Sequence, residues 1–576
     1  MNDFIKIQET KIIDAIKSLG YNTDIVKLSV SAMPELGDYQ YNGVMSLAKE
    51  FKKNPRDIAN EIVDKLDKSD IEKISVDGPG FINITFKNDS LINYFNNYEF
   101  KEYDKNEKTI IIDYGGANVA KALHVGHLRS ANIGEALKRL ALFLGYNAKG
   151  DAHLGDYGRP LGLVIKQIQE EYPDLEFFNP NYEGDYDDID LPITNSDLER
   201  IYPLASNKAK EDESYLEDAR VITTKFQNHE KGYYELWKKI IEISKNEIKK
   251  SYDKLNVSFE IWNGESDEME YFDELLKIYE DKGLVVESEG AKVINVAKED
   301  ETSPMPPLLM VKSNGSKSYD STDLAAILER KDNYNPSEIW YVVDNRQSLH
   351  FEQVFRAARL ANIVGDDVKL DHINFGTMNG KDGKPFKTRD GGVMTLENLM
   401  SLVKEEVSKK INEDYSDDEK EYISNILHIA ALKYADLLPV RTTDYVFDIE
   451  KFCDLNGKTG VYLLYSIVRA KSLLNKASDI DDSLIKINNN QDRDILIKLL
   501  QVDSILNKSF EERSLNYITD YLYQLTKTFN SFYDSNKVLV ESDEELKKSW
   551  IYITRKYVEV SSKLTNILAI DIPEKI

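Results

Sequence analysis

Two histidines, His124 and His127, lie three residues apart in the stretch "NVAKALHVGHLRS", in a chain that has only seven histidines. On a helix, residues at this spacing share a face. Two imidazoles on one face can donate hydrogen bonds to phosphate oxygens, and Gly126 leaves room for a flat ring to approach the backbone. Two other interpretations stay open: a metal site, although no convincing third ligand is near, and ordinary surface residues at a helix start.

A second stretch, "GTMNGKDGKPFKTRDGG" at 376–392, places four lysines and arginines among five glycines. It is not a Walker A loop, because one residue is missing between its glycines and Asp382 stands where Ser or Thr is required. A glycine-rich lysine loop can instead close over pyrophosphate while charge develops. The alternative is a basic turn on the surface.

The elements that must position these residues follow a strand–helix alternation. "TIIID", from Thr109, is a short apolar strand, and helical periodicity runs from about 125 to 144, where Gly145 is a natural stop. "AKGDAHLG", "SEIWYVVDN" and "DHINFGTM" indicate further strands, so a parallel sheet with crossover helices is expected. Ligands bind beyond the carboxyl ends of such strands, where a helix N-terminus favours phosphate. The histidine motif lies at that position.

The flanking segments predict two further domains. Residues 1–100 mix helix and strand signals, including two strands around a turn in "ISVDGPGFINITF", and 101–108 is a charged linker. A long helical stretch at about 206–256 interrupts the sheet pattern, and beyond about 405 only helical patterns continue. We therefore expect an α+β domain at 1–100, an α/β catalytic domain at 106–405 with an insertion at about 160–260, and an all-α domain at 406–576.

Composition excludes several classes. The net charge of −27 argues against a general nucleic-acid coat, although local lysine-rich faces can still contact nucleic acid. No apolar run approaches the length that spans a membrane, and the first twenty residues have the pattern of an amphipathic helix rather than a signal peptide. The single Cys453 cannot form an internal disulfide, which fits a reducing compartment. A cytoplasmic location is the expectation.

The two motifs together resemble a family. His-Val-Gly-His is similar to the HIGH motif of class I aminoacyl-tRNA synthetases, and "KPFKT" at 384–388, about 260 residues later, is similar to their KMSKS motif. The chain more specifically resembles arginyl-tRNA synthetases over essentially its whole length. The segments that carry this resemblance are "LGDYQYN", "NVAKALHVGHLRSANIGEALKR", "GESDEM", "YDSTDLAAI", "RQSLHFEQ", "GKPFKTRDGGVMTLENLM" and "ALKYADLLPVRTTDYVFD". It departs at Gly116-Ala117, where the family often has Ala-Pro or Ser-Pro, and at "GDYGRP", where it often has Gly-Asp-Trp-Gly-Thr-Gln.

The resemblance implies a Rossmann-like class I catalytic domain, an N-terminal domain that contacts the tRNA body and a helical anticodon-binding domain. The implied reaction activates L-arginine with ATP and transfers it to the 3′ end of tRNA(Arg), leaving AMP and pyrophosphate. Magnesium is expected with ATP, held by phosphates and water rather than by the protein, and the enzyme is expected to be a monomer. The resemblance assigns the following residues to ATP and its phosphates: Lys121, His124, Gly126, His127, and Lys384 and Lys387 in the loop 381–392.

For arginine, the resemblance implies a pocket of carboxylates and amides, which suit the fixed donor fork of a guanidinium. Its members are Glu265, Tyr319, Asp323 and Gln347, and the resemblance implies that Asn118 with Asp113 helps hold the amino acid near its α-groups. Tyr319 and Asp323 are four residues apart, so one helical turn presents both. Each residue alone could equally be a surface carboxylate or a half-buried tyrosine.

For tRNA, an exposed aromatic can stack on an unpaired base and amides can read its edges. The candidates are Tyr39, Gln40 and Asn42 in the N-terminal domain and Tyr462, Tyr465 and Arg469 in the helical domain. The turn that carries Tyr39, Gln40 and Asn42 could equally have only a structural role, and the helical-domain tyrosines could equally be core residues. Two other functions remain open: a small nucleotidyltransferase of the same superfamily, against which the length speaks, and a non-catalytic tRNA-binding paralogue, against which the intact histidines and lysines speak.

Overall fold

The structure is a computed structural model that describes residues 3–576. The exceptions are residues 22, 24, 32, 34, 314, 316, 385 and 387–393, and the side chain of residue 319. Its N-terminal domain packs four helices on a four-stranded antiparallel sheet of order β1-β2-β4-β3. Pro55 occupies the first turn of α3, capped by the side chain of Asn54, as its fixed φ and missing N–H allow. The elements are α1 (Phe4–Ser18), β1 (Leu28–Val30), β2 (Tyr39–Tyr41), α2 (Val44–Phe51), α3 (Pro55–Lys65), β3 (Ile71–Asp77), β4 (Phe81–Phe86) and α4 (Asn88–Asn97).

The catalytic domain contains the predicted parallel sheet, of order β11-β10-β5-β6. The β5 residues Ile110, Ile111 and Ile112 are fully buried, which explains their continuous apolar run. The elements up to the centre of this domain are β5 (Thr109–Asp113), α5 (Val125–Phe143), β6 (Asn147–Asp151), α6 (Arg159–Glu171), α7 (Asn195–Glu211), α8 (Glu213–Gln227), α9 (Lys231–Lys254), α10 (Glu265–Glu268) and α11 (Phe272–Asp281). The elements that follow are β7 (Val285–Ser288), β8 (Ala291–Ile294), β9 (Leu308–Val311), α12 (Tyr319–Tyr334), β10 (Glu338–Tyr341), α13 (Ser348–Leu360), β11 (Lys369–His372) and β12 (Met378–Asn379). Short 3₁₀ segments cover Glu176–Phe178 and Asn345–Gln347.

The helical domain packs its long helices into one bundle. Its elements are α14 (Leu396–Ser408), α15 (Asp417–Leu437), β13 (Tyr445–Val446), α16 (Ile449–Phe452), α17 (Gly460–Lys476), α18 (Asn490–Leu499), α19 (Val502–Glu511), α20 (Asn516–Ser535), a 3₁₀ segment (Val538–Val540) and α21 (Glu544–Ile567). Within the described ranges, no helix is both long and apolar enough to cross a membrane.

Three features differ from the expectation. The helical stretch at 206–256 is divided among α7, α8 and α9, because Asp212 accepts hydrogen bonds from the N–H groups of Ser214 and Tyr215 and so starts a new helix. The antiparallel sheet β7-β8-β9 was not predicted. The short strand β13 lies beyond 405 and pairs in parallel with β12, so the helical half of the chain contributes to the base of the lysine loop.

The N-terminal domain is anchored on the helical domain. The Arg493 guanidinium donates to Asp38 Oδ2 at 2.6 Å, and Asn96 Nδ2 donates to the carbonyl of Leu484 at 2.7 Å. The predicted linker 101–108 has no regular secondary structure but is held in place, since the Tyr103 N–H donates to the Phe143 carbonyl at 2.8 Å.

Candidate active site

The two signature histidines cap the helix that follows β5. His124 is the N-cap of α5, and its Nδ1 accepts the Gly126 N–H at 3.1 Å. His127 Nδ1 in turn accepts the His124 N–H at 3.0 Å. Because both Nδ1 atoms accept, each neutral ring carries its proton on Nε2. The helix start thus presents two Nε2–H donors beside its own positive dipole end.

Both imidazoles are held neutral. Burial lowers the pKa of His127 to about 3, assisted by the neighbouring His124. Burial also lowers the pKa of His124, with the positive charges of Arg346 and Lys121 adding to the effect. The pair can therefore donate to phosphate at neutral pH without adding two fixed charges.

Gly126 allows the two rings to approach one another. A Cβ at this position would lie 2.9 Å from His124 Cε1, so any other residue would displace the ring. The ring centroids of His124 and His127 are 4.0 Å apart. The expected room for a flat ligand ring stays a prediction, whereas the structure adds this steric reason for the glycine.

The predicted cations differ in their surroundings. The Lys121 ammonium lies 4.5 Å from the Tyr202 ring centroid. Lys384 is exposed, and its backbone N–H donates to Asp382 Oδ1 at 3.1 Å. Its neighbour Lys381 is engaged elsewhere, 3.3 Å from Asp448 Oδ1. Lys387 lies outside the described residues.

Asn118 and Glu265 line one cavity of about 640 Å³. Asn118 forms a bridge with Gly155, and the Glu265 N–H donates to the Leu154 carbonyl at 2.9 Å. A Cβ on Gly155 would lie 2.4 Å from Asn118 Oδ1, so the glycine is needed for this approach. The segment after β6 therefore brings together two predicted arginine-binding residues that are far apart in the chain.

Asp156 gives the "GDYGRP" segment a structural role that the sequence did not indicate. Its buried carboxylate accepts the Ser266 N–H at 2.9 Å and the Ser266 hydroxyl at 2.6 Å. Both bonds hold the first turn of α10, which begins at Glu265. A Cβ on Gly264 would lie 2.3 Å from Asp156 Oδ2, which explains the glycine of "GES".

The acidic side of the site combines Glu265 with Asp323. Burial, together with the charges of Asp156 and Asp323 and against the opposing effect of His153, raises the pKa of Glu265 to about 7. Asp323, the fifth residue of α12, is only 5% exposed. The site thus holds one carboxylate that is half protonated at neutral pH in the absence of a ligand.

Sequence reasoning missed His350, which lies between two carboxylates. Its Nε2 is 2.5 Å from Asp323 Oδ2 and its Nδ1 is 3.0 Å from Asp320 Oδ1. Burial opposes charge on this ring, but the hydrogen bonds to Asp320 and Asp323 outweigh it and raise the pKa of His350 to about 9. The available signal was "RQSLHFEQ", which carries His350 three residues after the predicted Gln347.

Asp113 has a buried partner that the sequence did not indicate. Arg330 Nη2 lies 2.7 Å from Asp113 Oδ2 and 2.6 Å from Asp151 Oδ2. Potential metal-binding atoms of Asp113, Asp151 and His153 lie within 4.8 Å of one another. The guanidinium already pairs with an oxygen of each carboxylate and places a positive charge between them, so these residues do not fit a resident Mg²⁺. The predicted contact of Asp113 with the amino acid stays a prediction.

Two other predicted pocket residues are only partly defined. Gln347 ends the 3₁₀ segment that follows β10 and is exposed. Tyr319 begins α12, but its side chain lies outside the described residues.

The predicted tRNA contacts divide into exposed and buried residues. Tyr39 is 3% exposed, so the prediction of an exposed stacking aromatic there is wrong: the side chain points into the core of the N-terminal domain. Gln40 Nε2 donates to Asn83 Oδ1 at 2.6 Å, whereas Asn42 is exposed. The turn still offers Asn42 to a partner.

On α17, Tyr465 is 47% exposed. Its neighbours one turn away are tied together by Asn530. The Tyr462 hydroxyl accepts from Asn530 Nδ2 at 2.8 Å, and Arg469 Nη2 donates to Asn530 Oδ1 at 2.7 Å. Tyr462 is half-buried, as the core alternative allowed.

The fold and the histidine motif at the strand end define a class I aminoacyl-tRNA synthetase. The family model for the class I (R) tRNA synthetase catalytic domain matches residues 91–449. The models for the arginyl-tRNA synthetase N-terminal domain and the DALR anticodon-binding domain match 6–86 and 463–576. The chain is therefore an enzyme of this class, with its two accessory domains.

Individual relatives specify the family. Arginine–tRNA ligases from Alkaliphilus oremlandii and Agathobacter rectalis are 43% and 40% identical, over 98% and 100% of this chain and of their own lengths. The crystal structure of arginyl-tRNA synthetase from Plasmodium falciparum, 25% identical, covers 100% of both chains with a TM-score of 0.82. The Thermus thermophilus arginyl-tRNA synthetase, 19% identical, shares the fold at a TM-score of 0.82 over 99% of this chain and 100% of its own. The chain belongs to the arginyl-tRNA synthetase family.

Proposed function

We propose that this enzyme activates L-arginine with ATP to give arginyl-adenylate and pyrophosphate, and then transfers the arginyl group to the 3′ end of tRNA(Arg), releasing AMP. One observation carries the residue assignment. The start of α5 presents two neutral histidines with Nε2–H donors, and a buried acidic pocket combines Glu265 with Asp323. Membership of the family supports the reaction itself.

At the phosphate end, the arginine carboxylate attacks the α-phosphorus of ATP, and the bond to the bridging oxygen of pyrophosphate breaks. Negative charge then grows on the leaving pyrophosphate. His124 and His127 donate from Nε2, and Lys121, Lys384 and Lys387 supply positive charge. Donors that are already oriented stabilise such charge without reorganising, which is the main way a protein accelerates phosphoryl transfer.

At the guanidinium end, Asp323 and Glu265 accept hydrogen bonds from the planar cation. Arrival of a positive charge lowers the pKa of Glu265 again, so this carboxylate ionises as arginine binds. Gln347 and Tyr319 complete this side-chain pocket, and Asn118 with Asp113 helps hold the amino acid near its α-amino and carboxylate groups. A neutral or shorter analogue leaves these acceptors unpaired, which discriminates against it without an editing site.

Mg²⁺ enters with ATP as part of the substrate, held by its phosphates and water. The tRNA is contacted by Gln40 and Asn42 on the N-terminal domain and by Tyr465 on α17, with Tyr462 and Arg469 behind it. We also propose that the enzyme acts in the cytoplasm as a monomer. The buried free thiol of Cys453 accords with a reducing compartment.

The test is aminoacylation of total tRNA with each of the twenty amino acids in turn. The expected result is charging with arginine alone, with one AMP and one pyrophosphate formed per arginyl-tRNA. Preferred charging with another amino acid, or consumption of ATP without charging, would contradict the proposal.

A further inference from the structure

His350 contacts the carboxylate that the proposed pocket uses, although it is not itself one of the predicted ligands. It lies on the first turn of α13, and Asp320 and Asp323 are the second and fifth residues of α12. The exposed fractions of the His350 and Asp323 side chains are 12% and 7%. The contact therefore lies in a largely buried interface between two helices.

The geometry sets the proton count on His350. Each ring nitrogen faces a carboxylate oxygen, Nε2 at 2.5 Å from Asp323 and Nδ1 at 3.0 Å from Asp320. An ionised carboxylate accepts hydrogen bonds and donates none, so both ring nitrogens carry protons and the ring is an imidazolium. Its raised pKa agrees with that state.

Among the residues that the structure describes, the Asp323 carboxylate has a hydrogen bond to Oδ2 and none to Oδ1. Oδ2 receives the His350 proton, so Oδ1 is the atom that remains for a ligand. A charge-assisted hydrogen bond also limits rotation of the carboxylate. Asp320 is restrained as well, because its Oδ2 accepts the Leu309 N–H at 3.3 Å. The contacts of His350 are therefore anchored on the Asp320 side by the β9 backbone.

We propose that His350 is a positioning residue for arginine specificity, which holds the Asp323 carboxylate so that its free oxygen meets the guanidinium of the substrate. This inference rests on the proposed function, since it requires Asp323 to be a guanidinium acceptor. The positive ring has a second effect. With His350 charged, the group formed by Asp320, Asp323 and His350 carries one net negative charge, whereas the two carboxylates alone would carry two.

The experiment compares four single variants in aminoacylation: His350→Ala, His350→Gln, His350→Asn and, as a neighbour on the same helix, Leu349→Ala. The Gln amide places an N–H near the Nε2 position and keeps the bond to Asp323, whereas the Asn amide reaches only the Nδ1 position and keeps the bond to Asp320. Leu349 is 54% exposed, so its variant controls for changes to the helix surface.

In His350→Ala and His350→Asn, KM for arginine should rise on the order of 10- to 100-fold, with kcat and KM for ATP changed less than about threefold. His350→Gln should recover most of the arginine KM, and Leu349→Ala should match the unsubstituted enzyme. Equal damage in the Gln and Asn variants, or a rise in KM for ATP as large as that for arginine, would overturn the inference. Thermal unfolding of each variant checks that the fold is intact.

A double variant tests whether His350 acts through Asp323. His350→Ala combined with Asp323→Asn should lose no more arginine kcat/KM than Asp323→Asn alone, because the group being positioned is already changed. Additive losses would overturn the inference. Failure of the unsubstituted enzyme to charge tRNA with arginine would overturn the proposed function as well. Normal charging with an unaffected arginine KM in His350→Ala would overturn this inference alone.

Discussion

The two ends of the active site use the same side chain in opposite charge states. At the start of α5, burial and then nearby positive charge lower the pKa values of His124 and His127, whose Nδ1 atoms accept backbone N–H groups. Between α12 and α13, His350 faces two carboxylates, and its pKa is raised to about 9. Neighbouring groups, rather than residue type, decide whether an imidazole is a neutral donor or a fixed cation.

The difference matches what each end of the substrate needs. The phosphate end receives an anion whose charge grows during the reaction. Neutral oriented donors suit this end, because they add little electrostatic free energy to the empty site. The guanidinium end receives a permanent cation, and there the Asp323 carboxylate must be ionised and oriented before that cation arrives. A single charged histidine meets both requirements on that side.

The largest expected effect is that of Asp323→Asn. Either orientation of the new amide sets an N–H against a donor, because Oδ2 faces His350 and the other oxygen faces the guanidinium. Breaking one partner of a desolvated charge pair costs roughly 3–5 kcal/mol. The kcat/KM for arginine should therefore fall on the order of 10² to 10³ or more, while KM for ATP is retained.

Steady-state kinetics with arginine, and inhibition by citrulline, measure this loss. Citrulline carries a neutral urea, so it should lose less affinity than arginine, and the preference between them should shrink. Asp320→Asn serves as the matched control, since Asp320 contacts the same histidine from its other side. Its kcat/KM for arginine should fall less than that of Asp323→Asn. Equal losses for both ligands would mean that Asp323 supports the fold and does not recognise the charge.

At the phosphate end, His124→Asn should separate capping from chemistry. Asn is a good N-cap, so α5 should start normally and the free energy of unfolding should hardly change. It cannot place a donor where Nε2 stood, and loss of one oriented donor should slow adenylate formation by about 10²-fold. Single-turnover rates with tRNA present and denaturant unfolding measure the two properties.

The companion variant His124→Gln should show the reverse pattern. Its amide reaches the Nε2 position, but Gln is a poor N-cap, so it should lose roughly 1 kcal/mol of stability and retain more of the rate. If both variants lost rate and stability together, the two roles assigned to His124 would not be separable.

The contrast between the ends also explains what the sequence could predict. Local patterns were sufficient for β5, for α5 with its stop at Gly145, and for the β3–β4 hairpin, because each is defined within a few residues. The charge state of His350 was not predictable, since it depends on how α12 packs against α13. The same holds for Asp113, whose partner Arg330 is 217 residues away.

The error at Tyr39 has a related cause. Alternation along "YQY" shows that Tyr39 and Tyr41 share one face of a strand, but not which face is covered. The structure buries both tyrosines at 3% exposure. The four-residue strands β7, β8 and β9 were missed because charged residues and prolines around them hide so short a pattern.

A smaller effect is expected from Lys384→Ala. Lys384 is exposed and is one of several cations assigned to pyrophosphate, so its loss should slow adenylate formation roughly 10- to 100-fold and leave arginine binding nearly unchanged. Lys381→Ala is the control in the same loop, because Lys381 already pairs with Asp448. Pre-steady-state rates at saturating ATP and arginine test this, and an unchanged chemical step in Lys384→Ala would remove Lys384 from the mechanism.

The smallest expected effect concerns the pH dependence of arginine binding. In the empty pocket, burial and the charges of Asp156 and Asp323 raise the pKa of Glu265 to about 7, so the carboxyl is largely protonated at pH 6 and ionised at pH 8. A bound guanidinium favours the ionised form, so binding must release this proton at low pH. The dissociation constant for arginine should therefore fall about tenfold from pH 6 to pH 8 and level off above it. His350 keeps its proton throughout this window because its pKa is about 9, and the neutral His127, with a pKa of about 3, does not titrate in it.

Calorimetry in buffers of different ionisation enthalpy, with tRNA present, counts the released protons. Glu265→Gln should bind more weakly with no pH dependence in this range, and a slope that survives this substitution would assign the proton to another group.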